Sequence, residues 1–149
     1  MKNAFPSLLA ALSLSAVLGS AAYASTTPDK LDGASMITAE QARDLQAKGV
    51  PLIDTRVAAE FAEKTIKGAV NVPYKEKSAK ATDFDRKLDS FDMAKLPGSK
   101  NTPVVFFCNA GECWKSYKAS VVSRDSGYTN IYWLRGGLPE WAAKGLPTQ

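Results

Sequence analysis

An α/β fold is predicted for this chain, with a parallel sheet at its centre and helices on both faces, and three observations predict it. Short apolar runs at residues 51–54, 67–73, 102–107 and 129–134 alternate with stretches of helical spacing, the pattern that lays strands side by side and helices over them. The runs at 102–107 and 129–134 are rich in β-branched and aromatic residues, as strands buried on both faces require. Once a removable first segment is set aside, about 125 residues remain, enough for one domain around one core.

That first segment has the marks of an export signal. Lys2 supplies a positive start, residues 8–18 are apolar apart from Ser13 and Ser15, and Ala22-Tyr23-Ala24 has the small-x-small pattern of a cleavage site. The apolar stretch is shorter than the ~20 residues of a spanning helix, so cleavage after Ala24 is favoured over a retained anchor. The expected organisation is a signal peptide over residues 1–24, a polar, flexible lead-in over 25–36 and the folded domain over 37–149, with periplasmic localisation. No membrane attachment is expected after cleavage.

Within the domain, Thr38-Ala39-Glu40-Gln41 has capping-box spacing, and Gly49 is a natural stop for the short helix that follows. Pro51-Leu52-Ile53-Asp54 reads as a buried strand that delivers Asp54 and Arg56 to its C-terminal end, where open α/β sheets gather their sites. Residues 57–64 are helix-like with Phe61 as anchor, and residues 67–73 give a turn and a short strand. Residues 74–81 are almost devoid of apolar side chains and read as a linker. Phe84, Leu88 and Phe91 predict a helix over 83–94, capped by Asp83 and ended by Pro97-Gly98. Residues 102–107 form the central strand and 114–126 the next helix, closed by Gly127. Residues 129–134 form a further strand, Arg135-Gly136-Gly137 a tight turn, and 138–144 a last short helix with Trp141 on its packing face.

Histidine is absent, which excludes Ser-His and Cys-His catalysis, imidazole proton shuttles and histidine metal sites. With two cysteines, a closed zinc site would need carboxylates or a second chain, so no metal and no cofactor are expected. Without Lys2 the chain carries 18 basic and 15 acidic residues, net +3, and the basic residues are spread. Lys75, Lys77 and Lys80 are broken up by Glu76 and followed by Asp83, so no nucleic acid partner is expected. A monomer is expected.

The chemistry concentrates in Val104-Val105-Phe106-Phe107-Cys108-Asn109-Ala110-Gly111-Glu112-Cys113-Trp114-Lys115. A thiol between a strand end and a helix N-terminus meets unpaired backbone N–H groups and the positive end of the helix dipole, both of which favour thiolate. Two cysteines in an exported chain ordinarily form a structural disulfide, yet these two share one loop.

Four stretches in order resemble the rhodanese-like domain, the single-domain sulfurtransferase family, over nearly the whole mature chain. They are Leu52-Ile53-Asp54-Thr55-Arg56 with Glu60-Phe61; Ile66-Lys67-Gly68-Ala69-Val70-Asn71-Val72-Pro73; Cys108 after its apolar strand; and Arg135-Gly136-Gly137-Leu138-Pro139-Glu140-Trp141. The resemblance implies a thiosulfate sulfurtransferase in which Cys108 attacks the outer sulfur of thiosulfate or a similar small anionic donor. Sulfite then leaves, and the sulfane sulfur is held as a persulfide until cyanide or a thiol accepts it, in two displacements. It implies that backbone amides of Asn109, Ala110, Gly111, Glu112 and Cys113 cradle the sulfur, with Gly111 permitting the curvature and Trp114, Lys115 and Arg135 lining the anion site. Two departures stand out. Thr65 replaces a histidine common in relatives, and Cys113 stands where several relatives carry an arginine, so the positive charge must come from Lys115, Lys118, Arg135 or Arg56.

Each residue also has a plainer reading. Cys108 could be an inert buried thiol. Cys113 could be a packing residue, a resolving thiol or the disulfide partner of Cys108. Trp114 and Trp141 read first as packing, Lys115 equally as a solvated lysine, and Arg135 as a partner for Asp54. Asp54 and Arg56 read as a structural network rather than catalysts. The competing functions are a thiol-disulfide redox protein using Cys108 and Cys113, which would involve a periplasmic thiol reductant, and a non-enzymatic sulfur carrier or interaction module. A phosphatase would need a longer loop closed by arginine.

Overall fold

The computed structural model describes residues 25–149; the expected signal peptide, residues 1–24, lies outside the described residues. Five parallel strands form one sheet in the order β1-β5-β4-β2-β3: β1 Ser35–Met36, β2 Leu52–Asp54, β3 Val70–Asn71, β4 Val104–Phe107 and β5 Ile131–Leu134. Period-two alternation splits each central strand between two cores. Leu52, Val105, Phe107 and Leu134 face α1 (Ala39–Ala47) and α4 (Gly137–Ala143), where Ala39, Ala42, Leu138 and Trp141 close the layer. Ile53, Val104, Phe106 and Ile131 face the other way, toward Ala119 of α3 (Trp114–Asp125) and the buried Tyr74. The α/β class with both faces covered is therefore as predicted.

Several elements follow from local sequence. Thr38 and Gln41 form the reciprocal capping box at α1, and Gly49 and Gly127 take the left-handed conformation after α1 and α3. Phe61 on α2 (Ala58–Glu63) anchors that helix by packing against the first core.

Three expectations are corrected. The helix predicted over 83–94 is two single 3₁₀ turns, Arg86–Leu88 and Met93–Lys95, capped by Asp85 and Asp92 rather than by Asp83. The aspartate side chains bond nearby backbone N–H groups and so compete with helix propagation. Leu88 is 54% exposed, and Phe84 and Phe91 enter different cores, so no single apolar stripe exists. The linker at 74–81 is held in place. Tyr74 is buried, Lys75 and Ser90 exchange backbone hydrogen bonds, and Asp89 accepts from Tyr74, from the Ser78 hydroxyl and from the N–H groups of Lys77 and Ser78. Residues 25–36 also pack on the domain: Thr27 and Leu31 are buried, and β1 pairs with β5.

Register places the functional end. Asp54 lies level with Phe107, and Phe107 with Leu134, so the three central strands finish together. The residues that follow, Thr55-Arg56, Cys108 and Arg135, consequently gather at one edge.

Candidate active site

Cys108 follows β4 directly and is 1% exposed, its carbonyl accepting from Leu138 N–H at 3.0 Å. Beneath it runs the Arg135-Gly136-Gly137 turn. Gly137 has φ +60°, and a Cβ there would collide with the Cys108 carbonyl, so the turn approaches the loop as only glycine permits. The sharp curvature of the loop falls on Ala110, at φ +44°, and not on Gly111 as expected. Gly111 is needed for another reason. A Cβ on it would lie 3.0 Å from the Arg135 guanidinium carbon, so glycine lets that cation pack against the loop backbone.

Cys113 is the N-cap residue of α3, with no side-chain capping bond and no acidic residue in the first turn of the helix. The helix terminus therefore favours a thiolate at Cys113 more directly than at Cys108. The two cysteines are joined as a disulfide, with Cα atoms 6.2 Å apart. Cys113 N–H bonds the Ala110 carbonyl at 3.3 Å, while the N–H groups of Asn109, Ala110, Gly111 and Glu112 have no hydrogen-bond acceptor among the described residues. Of the expected run from Asn109 to Cys113, only the Cys113 amide is committed to another backbone group.

The four proposed cations separate clearly. Arg56 is buried and bidentate on Asp54, with Nη2 to Oδ2 at 2.7 Å, and also donates to the Lys64 carbonyl. Lys118 is fully buried, 2.8 Å from Glu76 Oε2 and 2.8 Å from Ser78 Oγ. Both are consumed by structure. Arg135 pairs with Thr27, not Asp54: Nη2 donates to the Thr27 carbonyl at 2.7 Å and Nε to Thr27 Oγ1 at 3.1 Å. It also lines a groove with Thr38 and Glu140, one that Cys113 does not line. Only Lys115 of the four lines the cleft of about 380 Å³ that contains Cys113, together with Ser25, Glu76, Lys80, Asn109, Glu112 and Trp114.

Polar groups behind the loop hold it in shape. Asn109 Nδ2 donates to Glu60 Oε1 at 2.6 Å, and Arg56 reaches Asn109 Oδ1 at 3.4 Å, so the Asp54–Arg56 pair is tied to the loop. Thr65 donates to Asp54 Oδ2 at 2.8 Å and serves that network. Trp114 is buried edge-on to Tyr117 at 5.2 Å and donates from Nε1 to the Ser25 carbonyl. Trp141 is a core residue whose Nε1 donates to Pro147.

Thr27 was missed by sequence reasoning. It is 2% exposed, and both its N–H (2.8 Å) and its Oγ1 (2.7 Å) donate to the Gly111 carbonyl, while it also holds Arg135. Nothing in a polar, proline-containing stretch signals that role, because the contact spans 84 residues of sequence.

A similar chain from Arabidopsis thaliana, thiosulfate sulfurtransferase 16, chloroplastic, is 28% identical over 77% of this chain and 92% of its own length. The human thiosulfate:glutathione sulfurtransferase is 30% identical over 75% of this chain and 96% of its own. Among solved structures, a human single-domain sulfurtransferase superposes with a TM-score of 0.54 at 27% identity, covering 74% of this chain and 97% of that one. The sequence model of the rhodanese-like domain matches residues 38–144, a span that runs from the Thr38 cap through the Cys108 loop to the end of α4. With most of the chain matched by that model, sheet, cysteine loop and Gly-Gly turn included, this chain belongs to the rhodanese-like domain family of sulfurtransferases.

Proposed function

We propose that the protein is a thiosulfate sulfurtransferase that carries sulfane sulfur on Cys108. The observation that carries this reading is the position of Cys108. It lies at the C-terminal end of the central strand, its carbonyl seated on the Gly137 turn, with the unpaired amides of Asn109 to Glu112 in the loop beyond it. A Cys108 thiolate attacks the outer sulfur of thiosulfate, the sulfur–sulfur bond breaks, and sulfite leaves with the electron pair. Cyanide or a thiol then takes the sulfur and restores the thiolate. No side-chain base is needed once the thiol is ionised, which suits a chain without histidine. Lys115, in the same cleft as Cys113, supplies positive potential for the anion. The disulfide must be opened before Cys108 can act, so the working form is the reduced one.

Reduced protein freed of reductant should release sulfite from thiosulfate and form thiocyanate when cyanide is the acceptor. Cys108→Ser should do neither. A wild type that yields no sulfite and no thiocyanate after full reduction would sink the reading. We further propose that the chain acts in the periplasm after cleavage behind Ala24, which N-terminal sequencing of the exported protein tests.

A further inference from the structure

We propose that Cys113 makes this protein a sulfide-releasing enzyme, turning the persulfide of Cys108 into hydrosulfide by closing the loop disulfide. The inference rests on Cys108 being the persulfide carrier. Its physical basis is the pairing of the two cysteines across a sequence separation of 5 residues, which shows that the Cys113 sulfur can reach the inner sulfur of a Cys108 persulfide without any change of fold.

The surroundings of Cys113 suit an attacking group. It caps α3 without a side-chain capping bond, and no acidic residue stands in the first turn to compete for the helix's positive end. Lys115 and Lys80 line the same cleft and carry no ion pair among the described residues, while of its two carboxylates Glu76 is paired with Lys118 and only Glu112 is left to offset them, so lysine charge adds to the helix terminus in favouring thiolate. Nor does the rest of the fold need this thiol: Tyr117 packs α3 onto Trp133 of β5, and Thr27 ties down the loop, both independently of Cys113.

The chemistry balances. Cys108 thiolate takes the outer sulfur from thiosulfate and sulfite departs. Cys113 thiolate then attacks Cys108 Sγ, the bond from Sγ to the sulfane sulfur breaks, and the protonated sulfane sulfur leaves as hydrosulfide with the bonding electrons. The net change is thiosulfate plus protein dithiol giving sulfite, hydrosulfide, a proton and protein disulfide. Two electrons pass from the two thiols to the sulfane sulfur. Further turnover needs an external dithiol reductant. Such a reductant attacks the more accessible sulfur, Cys113, which lines the cleft, and releases Cys108, which is buried, as the thiolate.

The test is a single turnover with no external thiol or cyanide present. Protein is reduced, desalted anaerobically and given a small excess of thiosulfate; sulfite, sulfide, free thiols and intact mass are then measured. The wild type should release sulfite and sulfide in equal amounts and end as the disulfide with no added sulfur. Cys113→Ser should release the same sulfite, no sulfide above background, and retain one added sulfur atom; Cys113→Ala, checked for native circular dichroism, should match it. A wild type that keeps its persulfide and releases no sulfide overturns this inference while leaving the persulfide reading standing. Sulfide released equally by the wild type and both Cys113 variants also overturns it. If neither sulfite nor an added sulfur is found in any protein, the persulfide reading itself fails and this inference with it.

Discussion

At the scale of single residues, the site depends on where side chains are missing as much as on where they stand. Gly137→Ala would force a methyl group into the Cys108 carbonyl at a left-handed φ. Backbone strain alone costs about 1–3 kcal/mol, and displacement of the cysteine loop adds to it. Urea unfolding should show the lower stability, and sulfite release should fall with it; a variant as stable as the wild type would contradict the packing described. Ala110 already holds such a conformation without glycine, so some strain is built into the loop beside the cysteine. In the proposed mechanism Lys115 contributes charge alone. Lys115→Gln should raise KM for thiosulfate by roughly twofold to fivefold, as loss of a partly exposed charge worth ~0.5–1 kcal/mol would give, with kcat retained. Raising the salt concentration should erase the difference, and steady-state kinetics at two ionic strengths checks both points.

At the scale of elements, the segment from Tyr74 to the 3₁₀ turns is joined to α3 by buried charge. Lys118 reaches Glu76 and Ser78, its Nζ stands 3.9 Å from Asp89 and it lies over the Phe84 ring, so a polar stretch becomes part of the fold by satisfying one buried cation. Asp89 is the hub. Burial alone would raise its carboxyl, but hydrogen bonds from the Ser78 hydroxyl, the Lys77 and Ser78 N–H groups and Tyr74 outweigh burial and hold it below the usual carboxylate range. In the same cluster, burial pushes the Tyr74 phenol well up, helped by its bond to Asp89, so it stays a neutral donor. With its folded pKa depressed, Asp89 contributes stability fully above its ordinary unfolded value of about 3.9, and loses it as pH falls through the lower folded value. Unfolding free energy should therefore drop below about pH 4 in the wild type. Asp89→Asn should be less stable at neutral pH and show a shallower acid slope; equal slopes would place the acid sensitivity elsewhere.

At the scale of the whole molecule, the disulfide closes only a small ring at one edge of the sheet. The chain-entropy model gives such a ring about 2 kcal/mol, a modest share of the 5–15 kcal/mol typical of a domain. Reduction should lower the urea midpoint by an amount equivalent to about 2 kcal/mol, with the slope of the transition unchanged and the fold retained. A Cys113→Ser variant should be insensitive to reductant. Unfolding on reduction would make the bond a structural staple and not part of a working cycle. Much of this protein was legible in its sequence, because the relevant forces act locally or repeat with a short period. Apolar runs marked β2, β4 and β5, the Thr38–Gln41 box marked α1, Gly127 ended α3, and Cys108 followed an apolar strand into a loop. What sequence left open was each matter settled by contacts between distant segments. Lys118 and Arg56 looked as available as Lys115 until packing placed carboxylates beside them. Thr27 looked like part of a lead-in until the fold brought it to Gly111 and Arg135. The helix expected over 83–94 gave way to turns because its apolar residues had separate cores to fill. Periodicity and capping depend on neighbours a few residues away. The pairing of charges and the fastening of a loop depend on which surfaces the sheet brings together, and that exists only in three dimensions.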